Sequence, residues 1–379
     1  METKEFEARL AREREAIDRI DRELLPLFIE RMRCSERVAR IKREAGAPVL
    51  SVQREREILD RVSREAGDFG GSAAALYQEI MAISRARQHQ LLDRDSPLRD
   101  LERAARRELP QPLGRVVCQG VEGAYSHKAA RCLFGGAPVS FVPQFSQVFQ
   151  EVDQGALGVL PVENSAAGSV TAVYDLILRY RFFIVGAVDV RVEHCLAAPE
   201  AGPVKRVLSH PQALSQCSDY ISAQGLEAAE FSNTAAAAEY VAQERPQGTA
   251  AICSREAAER WGLTILAQGV QNVKNNTTRF VAVSKEAVLP EEANKISLCF
   301  SLPHTTGSLY HILQRFAVGG LNLTKIESRP IPGRSFEYDF YLDFTGSIHC
   351  PGTLELICAL QAELPRFSFL GNYSEAGQE

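Results

Sequence analysis

Short polar runs punctuate the middle of this chain, and their residue types are those of a small-molecule cleft. Asn276-Thr277-Thr278-Arg279-Phe280 stands downstream of Pro161-Val162-Glu163-Asn164-Ser165 and of Ser209-His210-Pro211-Gln212. Each run lies between strand-like segments, so several loops would build one site. Asn233-Thr234, just before an alanine run, reads as a helix N-cap. Helix N-termini aimed at a cleft bind carboxylates. His127 and His210 are acids in principle, with capping or loop packing the plainer role for both. A second set of residues is cationic and helical. Arg31 and Lys42 are eleven residues apart, which at roughly 100° per residue puts them on nearly one helix face. Arg14 lies about a quarter turn away, placed for a partner's site rather than its own. Ser84 and Gln88 are i, i+4 and share a face.

The elements that must position these residues differ along the chain. Up to about residue 107 the sequence is rich in Arg and Glu and almost free of strand signals. Ile17, Ile20, Leu24, Leu27 and Phe28 recur at helical spacing, continued by Val38 and Ile41. This predicts a helix from about Phe6 to Ala45, kinked at Pro26 and stopped by Gly46-Ala47-Pro48. Such a helix is too long for a compact monomeric domain and has to pack on a partner. Arg54-Glu55-Arg56 opens a second helix, and Ser84 and Gln88 lie on a third. A polar stretch ending in Pro110-Gln111-Pro112 reads as a linker. From Arg115 strands alternate with helices, an α/β texture. From Lys295 the order is strand, helix, strand, strand, helix, strand.

Composition narrows the function classes. The net charge of −5 argues against a nucleic-acid protein. No stretch approaches the roughly 20 apolar residues of a membrane span. The charged N-terminus carries no signal-peptide pattern. The nine cysteines are scattered without a C-x-x-C pair, which predicts a reduced cytoplasmic protein with no cysteine zinc site. Neither G-x-x-x-x-G-K-[ST] nor a G-x-G-x-x-G before a helix is present, so no nucleotide cofactor is expected.

The first segment, about residues 5 to 92, resembles all-helical chorismate mutases of the three-helix dimer type. Arg14, Ile17-Asp18-Arg19-Ile20-Asp21, Arg31, Lys42, Arg54-Glu55 and Ile80-Met81-Ala82-Ile83-Ser84-Arg85-Ala86-Arg87-Gln88 carry the likeness. The resemblance implies a pericyclic conversion of chorismate to prephenate without a covalent intermediate. Arg14 of the partner subunit and Arg31 would clamp carboxylates. Lys42 and Gln88 would face the breaking ether oxygen. Arg54 would support the site, Glu55 would accept from the substrate hydroxyl, and Ser84 would line the ring-carboxylate end. Ser51 stands where the family usually has Asp; a backbone contact there would survive, a carboxylate contact would not.

Residues 114 to 285 resemble prephenate dehydratases, a family of two α/β lobes with a cleft, similar to periplasmic binding proteins. Seven stretches match in order: 120–127, 158–165, 168–170, 194–196, 209–214, 232–237 and 276–280. The chain would cross between lobes near Val190 and return near Gln271. The implied reaction removes CO2 and the ring hydroxyl of prephenate to give phenylpyruvate. Thr278 is the implied catalytic residue, read as a hydrogen-bond donor to the departing oxygen. Asn164, Ser165 and Thr234 would bind substrate oxygens. Glu163 either orients the site or supplies a proton, and Arg279 either holds a carboxylate or pins its loop.

The last segment, 295 to 371, resembles an ACT domain, a ferredoxin-like βαββαβ module that pairs and binds phenylalanine at its interface. Thr306-Gly307-Ser308-Leu309 and Glu327-Ser328-Arg329-Pro330 carry the match. Thr306, Gly307, Leu309, Glu327, Ser328 and Arg329 are the implied effector residues. The expected organisation is a mutase domain at 1–93, a linker at 94–113, a dehydratase domain at 114–285 and a regulatory domain at 294–379. The expected protein is a cofactor- and metal-free bifunctional enzyme of phenylalanine biosynthesis, a homodimer or higher. Its partners are chorismate, prephenate and the effector phenylalanine, with no nucleic acid or membrane. Two alternatives are a monofunctional dehydratase with an inactive helical arm and a non-catalytic amino-acid-binding regulator.

Overall fold

A computed structural model describes residues 3–92, 96–109, 113–331, 333–334 and 336–376. The chain folds as two compact units, residues 1–100 with 350–365, and residues 101–349 with 366–379. Pro110-Gln111-Pro112, expected as a linker, lies outside the described residues.

The first unit is helical. Helix α1 (Thr3–Glu44) runs through Pro26 as one element, and α2 (Val52–Glu65) and α3 (Gly70–Leu92) follow. Gly46, at φ +62°, ends α1, where the Ala47 N–H donates to the Lys42 carbonyl at 2.9 Å. The C-terminal half of α1 packs on α3 through polar side chains: Arg31 Nη1 donates to Ser84 Oγ at 2.8 Å, and Gln88 Nε2 to Ser35 Oγ at 2.9 Å. Among the described residues the predicted apolar stripe stays open, for Ile17, Ile20, Leu24 and Leu27 are each more than half exposed. The polar stretch expected as a linker contains a further helix, α4 (Pro97–Ala104), whose Leu98 is buried.

The second unit holds three sheets. Its elements are β1 (Val116–Gln119), α5 (Tyr125–Phe134), β2 (Val139–Val142), α6 (Phe145–Asp153), β3 (Leu157–Asn164), β4 (Gly168–Ser169), α7 (Thr171–Tyr180) and β5 (Phe183–Arg191). Then come β6 (Cys195–Ala198), β7 (Arg206–Ser209), α8 (Pro211–Gln216), α9 (Ser218–Ala223), β8 (Glu227–Glu230), α10 (Thr234–Glu244), β9 (Thr249–Cys253), α11 (Arg255–Arg260) and β10 (Thr264–Gln268). The chain returns with β11 (Thr277–Ser284) and goes on to β12 (Lys295–Ser301), α12 (Ser308–Val318), β13 (Leu323–Pro330), β14 (Tyr338–Thr345), α13 (Pro351–Glu363), β15 (Arg366–Tyr373) and β16 (Glu375–Ala376). Of these, α13 belongs to the first unit.

One sheet has the order β16-β5-β11-β3-β1-β2, with β4 on β3; a second has β10-β6-β9-β7-β8. The crossings between them fall after Arg191 and after Gln268, as the sequence predicts. Apolar clusters bury β3 almost throughout, for example Leu160 and Val162 in one and Leu157 and Val159 in another. This explains its near-continuous apolar run. The third sheet has the order β13-β14-β12-β15, the antiparallel arrangement of a ferredoxin-like fold. One of its faces, through Cys299, Tyr341, Leu370 and Tyr373, joins the cluster that contains Phe149 and Ile184. The other receives α12, with Phe316 against Phe344 at 4.9 Å between ring centroids. Strand β15 touches β5 at Gly371 (φ +153°), where a Cβ would stand 2.1 Å from the Ile184 carbonyl oxygen.

Candidate active sites

A cavity of about 220 Å³ lies between the first two sheets. Three helix starts contribute to its wall: Ala124, Tyr125 and Ser126 from α5, His210 and Gln212 from α8, and Asn233 and Thr234 from α10. Asn233 caps α10 as its sequence predicts, accepting from the Ala236 N–H at 2.7 Å. No Lys, Arg, Asp or Glu is among the described lining residues. The positive ends of helix dipoles can favour an anion there.

Thr278 and Asn164 meet on this wall because β11 and β3 pair them directly. Asn164 Nδ2 donates to Thr278 Oγ1 at 2.8 Å and to Asn276 Oδ1 at 2.7 Å. Its Oδ1 accepts from the Ala166 and Ala167 N–H groups at 3.0 and 2.9 Å. Those two backbone donors fix which end of the amide is oxygen. Thr278 Oγ1 thus accepts from Asn164, and its own proton is free for an oxygen in the cleft. Asn164 differs from its expected role: its amide is used up inside the protein, and it orients Thr278 rather than binding a substrate oxygen.

Three further motif residues, Glu163, Arg279 and Ser165, are not among the described lining residues of the cleft. Glu163 and Arg279 are the next pair along the β3–β11 ladder, so their side chains leave by the opposite face. Glu163 meets Lys325 Nζ at 3.1 Å, and Arg279 makes a two-pronged bond to Asp189 at 2.8 and 2.9 Å. Neither lines the cavity. Of the two roles open to Arg279, pinning is the one its geometry supports. Ser165 is also outside the lining; its Oγ accepts from the Thr277 N–H at 2.9 Å and ties two loops together. Thr234 does line the cleft. His210 accepts from the Gln212 N–H at 3.2 Å and His127 from the Gly123 N–H at 3.1 Å, so both histidines cap.

Other wall residues went unassigned from the sequence. His194 is 2% exposed, with Nε2 at 3.2 Å from Gln216 Oε1 and Nδ1 at 3.2 Å from the Tyr125 hydroxyl. Burial lowers its pKa, against a smaller opposing effect of Gln216, and keeps the ring neutral. Burial also holds the Tyr125 hydroxyl protonated well above the ordinary tyrosine range. Gln216 is four residues from Gln212 on α8, and that spacing was the available signal.

A second cavity, about 370 Å³, lies in the helical unit. Arg31, Lys42, Ser51, Arg54, Glu55, Ser84 and Gln88, seven of the eight residues expected at the chorismate site, line it. Arg14 does not; it is 17 residues from Arg31, about 25 Å along the same helix. Arg85, not singled out before, lines the cavity and forms an ion pair with Glu55. Burial lowers the pKa of Arg31, but a guanidinium stays charged. Lys42 donates to the Val49 carbonyl, and Gln88 Oε1 is buried without a hydrogen-bond partner.

The six expected effector residues do not converge within one chain. Gly307 (φ +82°) precedes α12, with Thr306 exposed before it and Leu309 half-buried after it. Strand β13 alternates, and Glu327 pairs with Tyr341, whose ring meets Tyr174 of α7. Glu327 and Arg329 therefore share the face toward α7, and Arg329 reaches Asp175 at 3.3 Å. Only Ser328 lies on the α12 face. Because the strand has period two, these three neighbours cannot all face one ligand from the same sheet surface.

Two family models match this chain. Residues 13–89 match the family model "Chorismate mutase type II", and residues 116–288 match "Prephenate dehydratase". Arogenate dehydratase 2 of Petunia hybrida is 39% identical over 255 residues, 62% of this chain and 65% of that protein. The chain thus spans just under two thirds of that relative's length. Prephenate dehydratase of Methanocaldococcus jannaschii is 35% identical over 260 residues, 66% of this chain and 95% of that protein. Among solved structures, an Arthrobacter aurescens prephenate dehydratase in complex with L-Phe has a TM-score of 0.63 at 28% identity, covering 69% of this chain and 90% of that one. GqqA, described as a novel type of quorum quenching acylase, has a TM-score of 0.62 at 32% identity, covering 69% of this chain and 98% of that one. With a cleft built on the Asn164–Thr278 pair and a mutase-type helical region ahead of it, the chain belongs to the prephenate dehydratase family.

Proposed function

We propose that this chain is a bifunctional enzyme that rearranges chorismate to prephenate and converts prephenate to phenylpyruvate, under feedback by phenylalanine. The observation that carries the reading is the Thr278 hydroxyl, whose proton Asn164 leaves free in a cleft walled by helix starts. Prephenate is a dicarboxylate, and helix N-termini suit its carboxylates. Decarboxylation sends the C–COO⁻ electron pair into the ring as the C–O bond breaks and the ring becomes aromatic. Thr278 donates a hydrogen bond to the oxygen that leaves, stabilising the charge it gains.

Arogenate, which carries an ammonium where prephenate has a ketone, is the second substrate to test, since relatives of this chain include arogenate dehydratases. For an acylase reading, the one serine among the described lining residues, Ser126, is not activated as a nucleophile, since its Oγ spends its proton on the Gln119 carbonyl at 2.7 Å.

In the helical cavity Arg31 holds a carboxylate, Lys42 and Gln88 serve the ether oxygen, and Arg14 enters from a partner subunit. The exposed stripe of Ile17, Ile20, Leu24 and Leu27 supports a dimer through α1. Phenylalanine as effector is supported by the L-Phe complex of the Arthrobacter aurescens relative and by the helix start at Gly307. The test is ultraviolet turnover of chorismate alone, with and without phenylalanine. Chorismate loss with phenylpyruvate formation, suppressed by phenylalanine, is expected. Conversion of added prephenate with chorismate untouched would reduce the helical unit to a structural arm.

A further inference from the structure

The two residues behind the Asn164–Thr278 pair are both held by segments that follow the dehydratase lobes in the chain. Glu163 accepts from Lys325 of β13 at 3.1 Å. Lys325 is only 8% exposed, and its ammonium also donates to Ser169 Oγ at 2.9 Å and lies 3.4 Å from Glu327. Across the ladder, Arg279 reaches Glu375 of β16 at 3.3 Å, and Glu375 is in turn paired with the buried Lys295 of β12. The β3–β11 ladder thus presents its reactive pair on one face and two anchored charges on the other.

A shift of Glu163 or Arg279 along the strand is passed to the adjoining residue, because Asn164 and Thr278 are their covalent neighbours. Partly exposed ion pairs such as these are weak devices for stability, since solvent screening and desolvation offset most of their attraction. They do fix geometry, because an ammonium with three directional bonds leaves its partners one arrangement. Lys325 has three donors and finds Glu163, Ser169 and the Tyr174 hydroxyl within 3.3 Å. Ser169 itself pairs with Glu163 across β3 and β4. Lys325 therefore ties together the strand that carries Asn164 and the short strand that returns beside it.

We infer that Lys325 is a positioning residue for the dehydratase reaction, acting through Glu163 to hold Asn164 and Thr278 in register. The C-terminal sheet is in this sense part of the framework of the cleft. The inference rests on the dehydratase reading, and its test separates the two.

Lys325→Met in the full chain keeps the stem and removes the ammonium. Turnover of prephenate should fall about tenfold or more in kcat, with KM changed far less, because a misplaced hydroxyl loses transition-state contact before it loses binding. Glu163→Gln should act in the same direction. The double variant should be no worse than the poorer single one, since both remove one linkage. Lys325→Arg, which keeps the charge, should recover part of the rate. Hydrogen exchange of residues 161–170 and 275–280 should quicken in Lys325→Met while the β6–β10 lobe stays at wild-type protection. A wild-type kcat together with unchanged exchange in these segments would overturn the inference. So would a rate loss that matches general loss of protection across the unit. If wild-type protein converts neither prephenate nor arogenate, the dehydratase reading fails by itself. Exchange alone then decides whether Lys325 holds the ladder.

Discussion

The two cavities differ in their electrostatic means, as the two proposed reactions would require. Among its described lining residues the helical one has Arg31, Lys42, Arg54 and Arg85 around one carboxylate, Glu55. The interlobe cleft has no Lys, Arg, Asp or Glu among its described lining residues and relies on helix starts and a threonine hydroxyl. The difference follows from where charge moves. A pericyclic shift needs two carboxylates held and a partial charge met at one ether oxygen, which fixed cations do well. A fragmentation must let CO2 and an oxygen leave, and a strong cation would hold the departing carboxylate in place. Neutral donors bind the dianion without opposing its loss.

That contrast can be broken most sharply at Thr278. Thr278→Val should lower prephenate turnover by about 10²- to 10³-fold, the cost of one aimed donor to a developing charge. Mutase turnover in the same preparation should be unchanged, and equal losses in both would show a folding defect instead. Arg31→Ala should have the complementary effect, on the order of 10- to 100-fold on chorismate kcat/KM, the worth of charge-assisted hydrogen bonds to a carboxylate. Supplied prephenate should still be converted at the wild-type rate. If both rates fell together, the two cavities would not be independent sites.

The smallest expected effect sharpens the comparison through pH. Burial depresses the pKa of His194 in the cleft. The unfolded chain therefore takes up a proton on this ring at a higher pH than the folded one does. The neutral ring costs nothing above the unfolded value near 6.5, and stability is lost as pH falls below it. His194→Gln should flatten the fall in denaturation midpoint between about pH 7.5 and 5.5. An unchanged slope would show that the ring titrates as if exposed.

Much of this was legible because it depends on helical periodicity. Arg31, Lys42, Ser84 and Gln88 were placed on shared faces by spacing, and seven of the expected residues line one cavity. The stripe from Ile17 to Leu27 likewise announced a helix face that stays exposed among the described residues. The errors lie in strands, where a motif of consecutive residues must split between two faces. Thr278 in the cleft implies Arg279 behind it, and Asn164 implies Glu163 behind it, by period two alone. The same alternation separates Ser328 from Glu327 and Arg329. What no local pattern carried was the partner on the far side: Lys325 is 162 residues from Glu163, and only the fold brings them together. Helix α4 was missed because its polar composition hides one buried leucine, Leu98.

Gly371 has a consequence for anyone who would engineer this enzyme. Where β15 meets β5, main chain rests on main chain with no side chain as spacer, and Leu370 and Tyr373 beside it are buried among residues of the lobe. Cutting the chain after the dehydratase lobes would uncover β5 and strip a shared apolar cluster of Cys299, Tyr341, Leu370 and Tyr373. Such a fragment would be sticky, so the proposed effector site is better tested by single substitutions around Gly307 than with scissors.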